Sequence, residues 1–197
     1  MKRGGFFFPE MTPEAEKLHF YLTEAGELET AAGTRRVNAK EVTSYFKEFL
    51  ILFFGAAWSQ QSLALTEELV KFLRHVNAKP GKPTVDVIYI GNEQSEEELK
   101  DYIQKHLADH TSGTNISGYH FGYNHDLSFA LRELLEVDSV PHLIVMDRNL
   151  DILTREGAAD VMHLASQNPE QIRAIWIDQL QAQIDERKLK QQMSMRT

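Results

Sequence analysis

Apolar positions follow two different periods along this chain. Residues 49–54 (Phe49-Leu50-Ile51-Leu52-Phe53-Phe54) and 85–90 (Val85-Asp86-Val87-Ile88-Tyr89-Ile90) are short, nearly unbroken apolar runs, the pattern of strands covered on both faces. Between them Leu65, Leu69, Phe72, Leu73 and Val76 recur at helical spacing, and Lys79-Pro80-Gly81-Lys82-Pro83 ends that helix. Ser95 before Glu96-Glu97-Glu98 is a cap signal for a helix with an inner stripe of Leu99, Tyr102, Ile103 and Leu107. Leu127, Ala130, Leu131, Leu134 and Leu135 predict another helix. Pro141 then precedes a strand at Leu143-Ile144-Val145-Met146, and Asp147-Arg148-Asn149 turns it into a strand at Ile152-Leu153-Thr154. Asn168-Pro169-Glu170 opens a helix of about five turns carrying Ile172, Ile175, Trp176, Leu180 and Ile184.

The ends and joints read less regularly. Residues 1–17 are expected as an irregular arm, 20–30 as a small hairpin turning at Gly26, and Asn38 as the cap of a short helix. Residues 110–124, rich in Gly, Ser and His, read as a loop, and Lys188 to Thr197 as a frayed polar end. Strand, helix, strand, then helix, strand, strand, helix is an α/β order with a mixed sheet. The expected organisation is one domain over 18–185, between the arm and a polar tail at 186–197.

Composition narrows the partners. The 197 residues suffice for one domain with a real core, and 42% hydrophobic with 25% charged residues is ordinary for a soluble globular protein. Twenty-one Lys and Arg against 29 Asp and Glu leave a net charge of −8, which argues against nucleic acid as a partner. No apolar run reaches the length of a membrane span. The start lacks a signal-peptide core, and Glu10, Glu14 and Glu16 do not suit a transit peptide, so the expected location is cytoplasmic. Asn115-Ile116-Ser117 fits a glycosylation acceptor, which matters only on a secretory route. Cysteine is absent, so no disulfide forms.

The candidate chemistry lies at Gly55-Ala56-Ala57-Trp58-Ser59-Gln60-Gln61-Ser62, where the first core strand breaks and a helix begins. Ser59 is a good N-cap, since its oxygen can accept an orphan backbone N–H. A serine hydrolase is not indicated: there is no Gly-x-Ser-x-Gly elbow, and nothing nominates a His/Asp pair to activate the hydroxyl. His120, His125 and Asp126 match no zinc spacing and read as a solvated loop, so no metal and no cofactor is expected. His142 faces either the site or solvent. Leu189 and Met193 continue the last helical stripe, and with Phe6-Phe7-Phe8 they are candidate partner surfaces as well as candidate packing.

The corner at 51–62 resembles the nucleoredoxin and tryparedoxin branch of the thioredoxin superfamily. Asp151-Ile152-Leu153-Thr154-Arg155-Glu156-Gly157-Ala158 with the downstream Trp176 is similar to nucleoredoxin-like proteins, the group of the rod-derived cone viability factor. Val137-Asp138-Ser139-Val140-Pro141 matches the family's cis-proline stretch. The resemblance spans about residues 18 to 185 and implies a thioredoxin-like fold. It places Ser59 at the nucleophilic cysteine and Ser62 at the resolving cysteine. It also implies a cis Val140–Pro141 bond beside a substrate groove flanked by Trp58, Gln60 and Gln61, with the Val140 backbone free to pair with a peptide. Active members carry Cys-x-x-Cys there. The expectation is therefore a redox-inactive protein that binds a protein partner through the old groove and its terminal extensions, as a scaffolding subunit. The alternative is a dithiol oxidoreductase seen as a Cys-to-Ser variant.

Overall fold

The structure, a computed structural model, describes residues 12–24, 26–33, 35–45, 48–78, 85–108 and 118–194. In chain order these form α1 (Pro13–Glu24), β1 (Glu27–Thr30), β2 (Arg36–Asn38), α2 (Ala39–Tyr45), β3 (Phe49–Gly55), α3 (Gln60–Val76), β4 (Val85–Gly91) and α4 (Glu96–Tyr102). Then come a π-helical turn (Ile103–Leu107), β5 (Gly118–His120), α5 (Asp126–Leu134), β6 (His142–Met146), β7 (Ile152–Thr154), α6 (Gly157–Leu164) and α7 (Pro169–Ser194).

The strands make one mixed sheet in the order β2-β1-β5-β4-β3-β6-β7. β3 lies at its centre, parallel to β4 and antiparallel to β6. Successive side chains of a strand point to opposite faces, so the unbroken run in β3 feeds two cores. Phe49, Ile51 and Phe53 pack with α3, α4, α6 and α7 on one face. Leu50, Leu52 and Phe54 pack with α1, α2 and α5 on the other. Trp176 anchors α7 in the first core: it is fully buried, edge-on to Phe49 at 5.6 Å and Phe72 at 5.2 Å, and its indole N–H donates to Asp160 at 2.9 Å.

Several joints differ from the sequence reading. The hairpin expected at 20–30 does not form. Thr12 accepts the Ala15 amide at 3.1 Å, Pro13 occupies the first helical position, and Ala15, Leu18 and Leu22 bury one stripe, so α1 runs from Pro13 through residues 20–22. Within the span 1–17 expected as an irregular arm, residues from Pro13 on are helical, while Phe6-Phe7-Phe8 lie outside the described residues. Gly26, with φ +72°, joins α1 to β1, and β1 hairpins with β2 instead.

The loop at 110–124 contains β5, held between β1 and β4. The acceptor at Asn115 lies outside the described residues. α6 was not foreseen. Its Gly157 lies so close to β6 that a Cβ there would sit 2.4 Å from the Leu143 side chain. α7 does not fray at Lys188 but continues to Ser194. Gln183 donates to the Ile152 carbonyl at 2.9 Å, and Arg187 pairs with buried Asp151 at 2.7 Å, tying the helix along β7.

Candidate functional site

The site is built at the C-terminal edge of β3 and β4, the side on which open α/β sheets receive ligands. β3 ends at Gly55, and α3 starts at Gln60 with Ser59 as its N-cap in an extended conformation. The Ser59 hydroxyl oxygen accepts the Ser62 amide at 3.2 Å. Ser62 is fully buried, and its Oγ accepts the Ala56 amide at 3.3 Å. Both hydroxyls are thus fastened to backbone. Among the described residues no histidine or carboxylate bonds to either.

Trp58 stands out from the corner, 52% exposed, with its indole N–H donated to the Asn92 carbonyl at 2.8 Å. Gln60 and Gln61 are exposed on the first turn of α3. The Val140–Pro141 peptide is cis, as the resemblance implied, and both residues are half-buried. The register Phe54↔His142 puts them at the same sheet edge as the Ser59 corner. Among the described residues the Val140 peptide groups carry no hydrogen bond. His142 is half-buried, and burial, aided by the Arg155 charge, depresses its pKa.

Beneath the corner lies a polar chain that the sequence reading missed. Thr66 donates to the Ser62 carbonyl at 2.7 Å and its hydroxyl meets that of Tyr102. Tyr102 stacks on Tyr89 at 5.0 Å, and the Tyr89 hydroxyl donates to Glu93. Burial pushes the Glu93 carboxyl above its ordinary value, although the Tyr89 hydroxyl and the amides of Glu93 and Ala57 pull it the other way. Burial likewise raises the Tyr102 phenol to about 12 and the Tyr89 phenol well above its usual range. The available signal was positional: Asn92 and Glu93 directly follow a core parallel strand.

The histidines weighed for a metal serve local structure. His120 is buried in β5, with Nδ1 donating to the Phe121 carbonyl at 2.9 Å, and burial lowers its pKa. His125 caps α5 by accepting the Leu127 amide at 3.3 Å. No three metal-ligating side chains converge among the described residues. No helix in the described residues is long and apolar enough to cross a membrane.

A strand–turn–helix corner with a cis-proline at the same sheet edge defines a thioredoxin-type architecture. The thioredoxin-like family model matches residues 47–152, more than half of the chain, and the chain belongs to that family. Among solved structures, thioredoxin from Wuchereria bancrofti superposes with a TM-score of 0.57 at 23% identity, covering 77% of this chain and 94% of that one. Tryparedoxin I from Crithidia fasciculata gives 0.60 at 18% identity, with the same coverages of 77% and 94%. Tryparedoxin from Trypanosoma brucei gives the same four values. At these identities the likeness is one of fold. A search of curated protein sequences finds no match.

Proposed function

We propose that this chain is a redox-inactive, nucleoredoxin-like member of its family that holds an extended segment of a protein partner without covalent capture. The observation that carries this reading is the pair Ser59 and Ser62 in a chain with no cysteine. Disulfide exchange requires a thiolate to attack and a sulfur to leave. Here the corner offers two hydroxyls already engaged as acceptors of backbone amides. What remains suits recognition: the exposed Trp58 ring, the polar Gln60 and Gln61, and the Val140 backbone beside Pro141, to which a peptide can add strand-fashion.

The test is insulin reduction by the full chain with dithiothreitol as reductant. No acceleration over dithiothreitol alone is expected, and turnover by this chain overturns the reading. The binding half is read by amide shifts on adding an extended peptide. Shifts are expected at Trp58, Gln60, Gln61 and Val140, and shifts confined elsewhere sink it. A second reading, a dithiol oxidoreductase seen with both cysteines replaced, is favoured by the paired change on an otherwise complete scaffold. It requires cysteine codons at 59 and 62 in the native gene, and turnover in the Ser59→Cys, Ser62→Cys protein.

A further inference from the structure

We infer that a small pocket between the end of β4 and the start of α5 binds a carboxylate, held by Arg132 and Ser128. The site is separate from the peptide groove and does not depend on that reading.

The pocket has a volume of about 40 Å³, about the room of two or three waters. Gly91, Asn92 and Glu93 line it from the β4 side, and Asn124, Ser128 and Arg132 from the α5 side. Ser128 and Arg132 stand one turn apart on the same face of α5. The Arg132 guanidinium lies over the Phe54 ring, 5.4 Å from its centroid, and donates to the Ile90 carbonyl at 3.4 Å. Those contacts leave most of its N–H groups free. Among the described residues no carboxylate comes within ion-pair distance of it, and burial works against its charge. Ser128 is 7% exposed, and its hydroxyl has no hydrogen-bond partner among the described residues. A buried hydroxyl and a half-buried guanidinium are each costly to leave unpaired, and both line the same cavity.

Glu93 is the acid that lines the pocket, but its carboxyl is already engaged by the Tyr89 hydroxyl and by the amides of Glu93 and Ala57. Asn92 and Asn124 add side-chain amides that no described residue bonds. What stays open is therefore an excess of donors, which suits a ligand that only accepts. A carboxylate is such a group: its oxygens can take a forked pair of bonds from arginine and a further one from a hydroxyl. The pocket has room for that group and little more, so the rest of a larger ligand stays outside. The net charge of −8 opposes an anion at long range. A ligand as small as formate binds no tighter than about 1 mM in any case.

The test is a titration of the full chain with sodium formate in place of sodium chloride, at constant ionic strength, read by N–H chemical shifts. Saturable shifts are expected at the amides of Gly91, Gly122 and Ser128 and at the Arg132 Nε, half complete at about 10 mM. Formamide, which has the same shape without the charge, should leave these signals in place. Arg132→Gln should remove the shifts, and Ser128→Ala should raise the half-saturation point about fivefold. If Arg132→Gln loses the native spectrum, Ser128→Ala decides. Shifts that do not saturate, equal shifts with formamide, or an undiminished response in a natively folded variant overturn the inference. N-acetyl-triglycine and its C-terminal amide then separate two sources of the same group. A preference for the acid assigns the pocket to a chain terminus, and a response to formate alone assigns it to a free small acid.

Discussion

The two tryptophans of this chain make opposite use of the same side chain. Trp176 is fully buried between Phe49 and Phe72, and its N–H is satisfied by the Asp160 carboxylate. Trp58 also has its N–H satisfied, by the Asn92 carbonyl, yet leaves half its surface in water at the edge of the sheet. An indole that is hydrogen-bonded but uncovered is oriented without being packed, and an oriented exposed aromatic suits contact with a second molecule. The first tryptophan holds the fold together; the second gives it a surface.

The sharpest way to break this contrast is to delete both rings in turn. Trp176→Ala should cost about 3–5 kcal/mol and lower the urea midpoint strongly, because it empties the core between α3, α6 and α7. Trp58→Ala should cost no more than about 1 kcal/mol, the loss of one exposed hydrogen bond, while weakening peptide binding. A large stability loss from Trp58→Ala would place that ring in the core class and remove it from the groove.

The two serines sharpen the comparison at a smaller scale. Ser62→Ala leaves the buried Ala56 amide without its acceptor and should cost about 1–3 kcal/mol. Ser59→Ala removes the N-cap of α3 and should cost about 1 kcal/mol. Chemical denaturation of the two variants checks the order, and a reversed order would show that the hydroxyl at 62 is not held as described.

The smallest expected effect is on pH dependence. Burial raises the Glu93 pKa in the folded state, so the folded chain binds that proton more tightly than the unfolded chain does. Stability from this group is full below the ordinary carboxylate value and falls as pH rises through the raised folded value. Glu93→Gln should therefore flatten the decline in urea midpoint on going from mildly acidic to neutral pH. An unchanged slope would show that Glu93 is solvated.

Long elements were legible in the sequence because their burial is written in their own period. The runs that became β3 and β4, the stripe of α3 and the cap at Ser95 all appear where their side chains require. Among short elements, β7 at Ile152–Thr154 and α2 after Asn38 were legible from their turn and cap residues, whereas others were not, since their stability comes from neighbours. β5 has three residues and exists because β1 and β4 flank it. α1 was misread because Phe20-Tyr21-Leu22 suits a strand locally, whereas the decisive signals, Thr12-Pro13 and the spacing of Leu18 and Leu22, span a longer window.

The site divides along the same line. Sequence alone determined that thiol–disulfide exchange by this chain's own residues is closed as written, because no cysteine is present to supply a thiol. It also determined that a helix starts at Ser59, because capping is a local property of adjacent residues. Only the tertiary structure decided that Glu93, Tyr89 and Tyr102 line up beneath that corner, and it is the β3–β6 register that carries Val140–Pro141, which the family resemblance already placed beside the groove, to the same edge. They lie far from Ser59 along the chain and reach it because strand pairing and helix packing bring them there, which no local pattern records.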